Sequence, residues 1–225
     1  MNHPRKNATS LLACGVFISV APLVAKLAIS NDTILLAMAA NTKRIVQYEW
    51  KQRITVIRKG SPTEPVIDQI RFGTDGQMQR TTISAPEQKE MRGLRGKIAA
   101  GVKEDVKDMM ELAGRYNKPQ QMAAVVRKAQ ISQTPGTGTT RLEANGLIEP
   151  TDSVTLLVNS TTHLAIHIDI KTVYNGGPMT VSQDYAPLPD GPNVMKSMRV
   201  SAPKKELVVN VDSYDYVRQS AALRQ

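Results

Sequence analysis

The sequence predicts an α+β fold: a strongly curved antiparallel sheet, in effect a half-barrel, with an N-terminal helix and a two-helix insert covering its concave face. Three observations carry this reading. Residues 46–56 alternate in polarity, as a strand with one dry and one wet face does. Residues 87–129 switch to helical periodicity. From residue 140 onward, short alternating runs recur at even spacing between turn signals, the pattern of an antiparallel meander. Strand clusters separated by a helical block place helices on one side of a sheet.

The first predicted element beyond residue 30 is a helix. Asn31 or Asp32 offers a capping side chain. Ile34, Leu35, Met38 and Thr42 follow helical spacing as far as Ile45, and Leu36, Ala37, Ala39 and Ala40 add propensity. The chain then passes directly into the strand at 46–56. Val46, Tyr48, Trp50, Ile54 and Val56 share one face, interrupted by Gln52; Glu49, Lys51, Arg53 and Thr55 take the other, where Glu49, Lys51 and Arg53 are expected to be exposed and dispensable. Trp50 is the only tryptophan in a chain with 4% aromatic residues. A solvent-exposed Trp50 would therefore undo both a core and a cavity at this position. Lys59-Gly60-Ser61-Pro62 ends the strand. Pro65 to Phe72 follows, with Val66, Ile70 and Phe72 on one face. Gly73-Thr74-Asp75-Gly76 is a hairpin turn, because Asp-Gly tolerates positive φ, and Gln77 to Ile83 is a polar third strand.

A basic connector follows, Lys89, Arg92, Arg95 and Lys97 with Gly93 and Gly96 among them. Beyond it Ile98, Val102, Val106, Met109, Met110 and Ala113 form one helical stripe. Asn117-Lys118-Pro119 stops that helix, and Pro119 suits the first turn of the next. In the second helix Met122, Val125, Val126 and Ala129 share a face. After a loop at 134–138 come about six strands: Thr140–Leu147, Val154–Val158, His163–Tyr174, Met179–Tyr185, Val194–Val200 and Leu207–Val211. The clearest is His163–Tyr174, with Leu164, Ile166, Ile168 and Ile170 inward and His163, His167, Asp169 and Lys171 outward. Asn175-Gly176-Gly177-Pro178 closes it into a hairpin. No internal repeat is evident.

Length and composition fit one substantial domain, assigned to residues 29–225. Residues 1–28 read as a signal peptide. Arg5 and Lys6 precede an apolar run from Leu11 to about Leu27, with small residues for cleavage after Ala28 or Ala25. An uncleaved anchor is the alternative, since the run approaches the ~20 residues a span requires. Leu11-Leu12-Ala13-Cys14 looks like a lipidation box, but little apolar sequence precedes it, and Cys14 reads as incidental. Cys14 is the only cysteine, so the mature chain has no disulfide, thiolate metal site or cysteine nucleophile. Without Arg5, Lys6 and Lys26, 26 basic residues face 20 acidic ones, and the net charge falls from +9 to +6.

No catalytic constellation or metal site is assigned. His163 and Asp169 on one strand would stand about 20 Å apart, whereas ligands converge within ~2.2 Å of an ion. Gly136-Thr137-Gly138 lacks the Lys-Ser/Thr of a phosphate loop, and no Gly-x-Ser-x-Gly elbow occurs. An enzyme is the less favoured reading and would need carboxylates converging beside His163 or His167. The basic connector could meet phosphate, but Glu87 and Glu90 dilute it, and no aromatic residues are interleaved for nucleic acid. Met109, Met110 and Met122 serve either as core filler or as an adaptable apolar surface.

The layout, an exported helix leading into a strand with a central tryptophan, an Asp-Gly hairpin, inserted helices and a strand meander, resembles the half-barrel of the bacterial lipoprotein carrier LolA and its receptor LolB. Tyr48-x-Trp50-x-x-Arg53 with Gln69-x-Arg71-Phe72-x-x-Asp75-Gly76 is also similar to a group of uncharacterised exported bacterial proteins. The resemblance implies a non-catalytic protein of the periplasm or outer-membrane periphery, sheltering a lipid or lipoprotein acyl chain without a cofactor and touching membranes only peripherally. Trp50, Ile54 and Phe72 are the expected cavity wall, with Val106, Met109 and Met110 as the lid. A structural or protein-interaction component of the envelope, its core filled by its own side chains, is the alternative.

Overall fold

In the computed structural model, which describes residues 30–86, 93–133, 136–189 and 191–219, helix α1 (Asn31–Ile45) is capped one residue earlier than expected. The Ser30 hydroxyl accepts the Thr33 N–H at 3.2 Å, and Asp32 lies within the first turn, where its charge favours the helix dipole. The chain then enters β1 (Tyr48–Arg58), β2 (Ser61–Pro62), β3 (Val66–Phe72) and β4 (Met78–Ser84). Helices α2 (Gly93–Tyr116) and α3 (Pro119–Lys128) follow. The remaining strands are β5 (Gln130–Gln133), β6 (Thr139–Asn145), β7 (Ser153–Asn159), β8 (Ala165–Tyr174), β9 (Gly177–Pro187), β10 (Asn193–Ala202) and β11 (Leu207–Arg218).

All eleven strands belong to one antiparallel sheet ordered β4-β3-β1-β11-β10-β9-β8-β7-β6-β5, with β2 beside β1. The sheet is open: β4 and β5 are its two ends and do not pair with each other. From β5 to β11 it is the expected meander. The seam is the long pairing of β1 with β11, from Tyr48↔Arg218 to Arg58↔Leu207. Met78 on β4 and Ile168 on β8 are six strand-to-strand steps apart, about 29 Å in a flat sheet. Both nevertheless line one cavity, which requires the sheet to curl. The architecture is α+β, a curved half-barrel.

The helices lie on the concave face. From the sheet side the core takes Leu142, Val154, Leu156, Ile168, Ile170, Val181, Val200 and Val209; from the helices it takes Ile34, Met109, Ala113, Val125 and Val126. A buried polar knot fixes the end of α2: the Tyr116 hydroxyl donates to the Asp152 carboxylate and lies 2.9 Å from Thr172 Oγ1. Asp152 also accepts the backbone N–H groups of Ile148 and Glu149, at 3.1 and 2.7 Å. Further along α2, Asp105 receives Lys205 at 2.9 Å and the Tyr174 hydroxyl at 3.0 Å.

Several expectations need correction. Strands β2 and β5 were not anticipated, and β11 continues seven residues past Val211. The helical backbone already begins at Gly93, inside the expected basic connector, whose first part (87–92) lies outside the described residues, as do residues 1–29. His163 is not on a strand: it sits in the turn before β8 with φ +59°.

Candidate functional site

Where the helices do not reach down to the sheet, a cavity of about 460 Å³ remains on the concave side. Helix α1 supplies Leu35, Met38 and Ile45, the α2–α3 corner supplies Pro119 and Met122, and the sheet supplies Trp50 and its neighbours. None of the described lining residues is charged at neutral pH, and the polar ones are Asn41, Thr42, Asn117, Tyr185 and Asn193.

Asn41 holds α1 over this space. Its amide donates to the Asn193 carbonyl and accepts the Asn193 N–H, both at 2.8 Å, so one side chain mimics a strand partner. The Asn193 side chain in turn donates to the Ala165 carbonyl at 2.7 Å, tying β10 to β8. These polar groups in the cavity wall thus satisfy one another.

The sheet bends beside the cavity. Register shifts fall next to three of its lining residues: Trp50 on β1, Met195 on β10 and Ala165 on β8. Each shift turns the strand and re-aims a side chain. At the first, β11 carries an extra residue near Asp215 (φ +53°), and this brings Tyr216 onto the face of Trp50. The two rings stack with centroids 5.6 Å apart and planes 18° off parallel, and Phe72 meets the indole at 5.9 Å and 49°. Burial pushes the Tyr216 phenol up to about 12, and it donates to the Met195 carbonyl at 2.5 Å.

Trp50 is 7% exposed, so it meets the condition set for it above. Trp50 and Phe72 line the cavity, whereas Ile54, Val106, Met109 and Met110 do not. Met109 is fully buried in the core, and the other three pack against that core from its margin. The cover over the cavity is α1 together with the α2–α3 corner, not the α2 stripe. Leu35, Met38 and Ile45 had the helical spacing that could have pointed to this. Nothing in the sequence marks Asn41 or Met195 as cavity residues, because their places depend on packing between distant segments. Gln52, which broke the apolar pattern, belongs to a polar group further along the same face: Arg80 donates to it at 3.2 Å and pairs with buried Asp68 at 3.0 Å.

Comparison with known proteins assigns no residue a role. No protein-family model and no curated protein matches the sequence. The chain is similar in structure to a DUF1329 family protein from Desulfovibrio piger (11% identity, 87% of this chain and 95% of that one, TM-score 0.42). It is also similar to a LolA superfamily protein from Nitrosomonas europaea (13% identity, 86% and 95%, TM-score 0.44). The likeness is one of fold. At this identity neither ligand nor residue role passes from those proteins to this chain.

On the opposite, convex face, carboxylates do gather around His167. Asp184 Oδ1 lies 2.7 Å from Nδ1 and Asp169 Oδ2 lies 3.0 Å from Nε2, with Ser182 Oγ at 3.3 Å. Burial opposes charge on the ring, but the Asp184 hydrogen bond and the Asp169 carboxylate outweigh it and raise the His167 pKa. This favours a held imidazolium. A Ser-His-Asp relay needs Nε2 free to take the serine proton, and Asp169 competes for that nitrogen. The group stands on the sheet face away from the concave cavity and does not line it.

Proposed function

We propose that the protein binds an apolar ligand, a lipid or a lipoprotein acyl chain, in the concave cavity, without chemistry, as an exported component of the cell envelope. The observation that carries the reading is an uncharged cavity of about 460 Å³ beneath α1, within the ~300–1,000 Å³ range of small-molecule sites. At ~30 Å³ per water-sized group it has room for roughly fifteen methylenes. Ten buried CH₂ groups contribute about 8 kcal/mol before the cost of association and of ordering the chain. The export part of the proposal rests on residues 1–28. None of the described helices is long and apolar enough to cross a membrane.

The test is native mass spectrometry of protein isolated from its own membranes or periplasm, followed by titration with a fluorescent acyl probe. Co-purified lipid, or saturable uptake of one probe per chain, is the expected result. Protein that carries no lipid and takes up no probe would overturn the proposal. The structural-component reading draws on the large share of the concave face that the chain's own side chains fill, and the negative outcome would favour it.

A further inference from the structure

The cavity has a dry end and a wet one. Trp50, Met122, Ile168 and Asn193 in its wall are buried, whereas Ala39, Thr42, Met78, Asn117 and Pro119 are exposed and mark its mouth. Away from the mouth the polar groups are taken up or closed off. Asn41 and Asn193 hold each other and Ala165, the Tyr185 hydroxyl donates to Gln183 Oε1 at 2.8 Å, and the Trp50 indole N–H is sealed inside the wall. At the mouth the Asn117 side-chain amide is exposed and has no partner among the described residues. Two lysines flank it. Asn31 at the start of α1 donates to the Arg127 carbonyl at the end of α3, so the two helices run antiparallel. Counted from that bond at about 1.5 Å per residue, Lys43 lies about 18 Å along α1 and Lys118 about 14 Å back along α3. Both therefore come to the same end of the helix pair, next to the lining residues Thr42 and Asn117. Both are exposed, and neither has an acidic partner among the described residues. The acid closest in sequence to a residue of the mouth is Asp75, before Met78, and its carboxylate accepts the Gln77 N–H at 2.9 Å.

We infer that the ligand is an amphiphile with an anionic head, a carboxylate or a phosphate, whose tail lies in the cavity and whose head stays at the mouth beside Lys43, Lys118 and the Asn117 amide. The inference deepens the proposed function and rests on it. Drawing a charge into the uncharged wall would cost more than a neutral donor or two return. A charged head is therefore received where water still reaches it. There Lys43 and Lys118 attract an anion, and the Asn117 NH₂ gives it a hydrogen bond that its charge strengthens. A neutral head gains the amide alone, and a cationic head is repelled.

The test compares decanoate, decyl phosphate, decanol and decyltrimethylammonium, each displacing the neutral probe diphenylhexatriene from the protein at neutral pH and low salt. The two anions should bind about three- to tenfold tighter than decanol, the worth of two exposed ion pairs, and decyltrimethylammonium should bind weaker than decanol. At about 1 M salt, where charges are screened beyond about 3 Å, the anion-to-decanol ratio should fall towards one. It should do the same at low salt in the double variant Lys43→Gln/Lys118→Gln, whose surface substitutions leave the fold intact. Tighter binding by decanoate would point to a fatty-acid head and tighter binding by decyl phosphate to a phospholipid-like one; either supports the inference. If neither the probe nor any of the four ligands binds, the proposed function itself fails. If decanol or decyltrimethylammonium binds as tightly as the anions, acyl binding stands and this inference fails. An anion preference that survives in the double variant would overturn it too, because the head would then lie elsewhere.

Discussion

Replacing Tyr116 by Phe removes one oxygen, and the structure says what that oxygen holds. Tyr116 and Asp152 are each 1% exposed. The phenol donates to Asp152 Oδ2, and Asp152 Oδ1 has no partner among the described residues. After Tyr116→Phe the carboxylate keeps the backbone donors Ile148 and Glu149 and the nearby Thr172 hydroxyl, but loses its phenol donor. Under-solvating a buried carboxylate in this way costs about 2 kcal/mol, and Asp152→Ala, which strips the partner from every one of these donors, about 3–4 kcal/mol. With an m-value of ~2 kcal/mol/M, Tyr116→Phe should lower the urea midpoint by about 1 M.

The pH dependence carries its own sign. Burial pushes the Asp152 carboxyl up, but the bonds from Tyr116, Glu149, Thr172 and Ile148 together outweigh it and hold it below the ordinary carboxylate range. A depressed folded pKa stabilises the fold above the unfolded value of about 3.9, and the gain is lost as pH falls through the folded value. Urea titrations from pH 7 down to pH 2.5 should show this acid loss in the unsubstituted protein and a shallower one in Tyr116→Phe. A midpoint shift below about 0.3 M with an unchanged acid limb would sink the reasoning. The knot also bears on the cavity, because Asn117 and Pro119 in its wall directly follow Tyr116. Acyl-probe affinity should fall in the same variant.

Three further outcomes are expected. Ala123→Phe places a ring in the cavity from α3 and should weaken acyl-probe binding more than tenfold, with a stability change no larger than the ~1–3 kcal/mol of overpacking; unchanged binding would show that the ligand sits elsewhere. Met109→Ala should cost about 2–5 kcal/mol in urea unfolding, since the side chain is fully buried in the core, yet leave probe affinity per folded molecule intact, because Met109 does not line the cavity. The third concerns His167. Its raised pKa gives stability that is complete below the unfolded value of about 6.5 and fades as pH climbs through the folded value. Solvent around Asp184, whose side chain is 63% exposed, keeps this below about 1 kcal/mol. Thermal melts at pH 6 and pH 9 should differ slightly, and His167→Gln should remove that difference.

The sequence was readable wherever a local rule acts alone. Alternation in β8 put Ile168 and Ile170 inside, and Asn175-Gly176, both at positive φ, forms the two-residue turn that joins β8 to β9. That turn held more than was read from it. Seven residues back from Tyr174 and seven on from Gly177 lie His167 and Asp184, which the hairpin register therefore pairs. Strand β5 escaped because Gln130-Ile131-Ser132-Gln133 has one apolar residue and no alternation. The far half of β11 escaped because the extra residue at Asp215 breaks the parity that marks Leu207, Val209 and Val211 as inward. Trp50 could be placed on a dry face from its strand alone. Its cover could not, because which helix lies over it depends on Asn41 meeting Asn193, 152 residues later.

The seam between β1 and β11 also dictates when the site comes into being. Trp50 rides on β1, near the start of the described residues, and β11 beside it is the last of the described strands to be made. A growing chain can fold the β3–β4 hairpin and much of the β5–β10 meander from neighbouring segments. The indole has no Tyr216 to stack on until residue 216 has been delivered. Contacts of such long sequence separation form late and slowly. The wall around Trp50 is thereby finished only once β11 has been made, and a chain cut short before β11 lacks it.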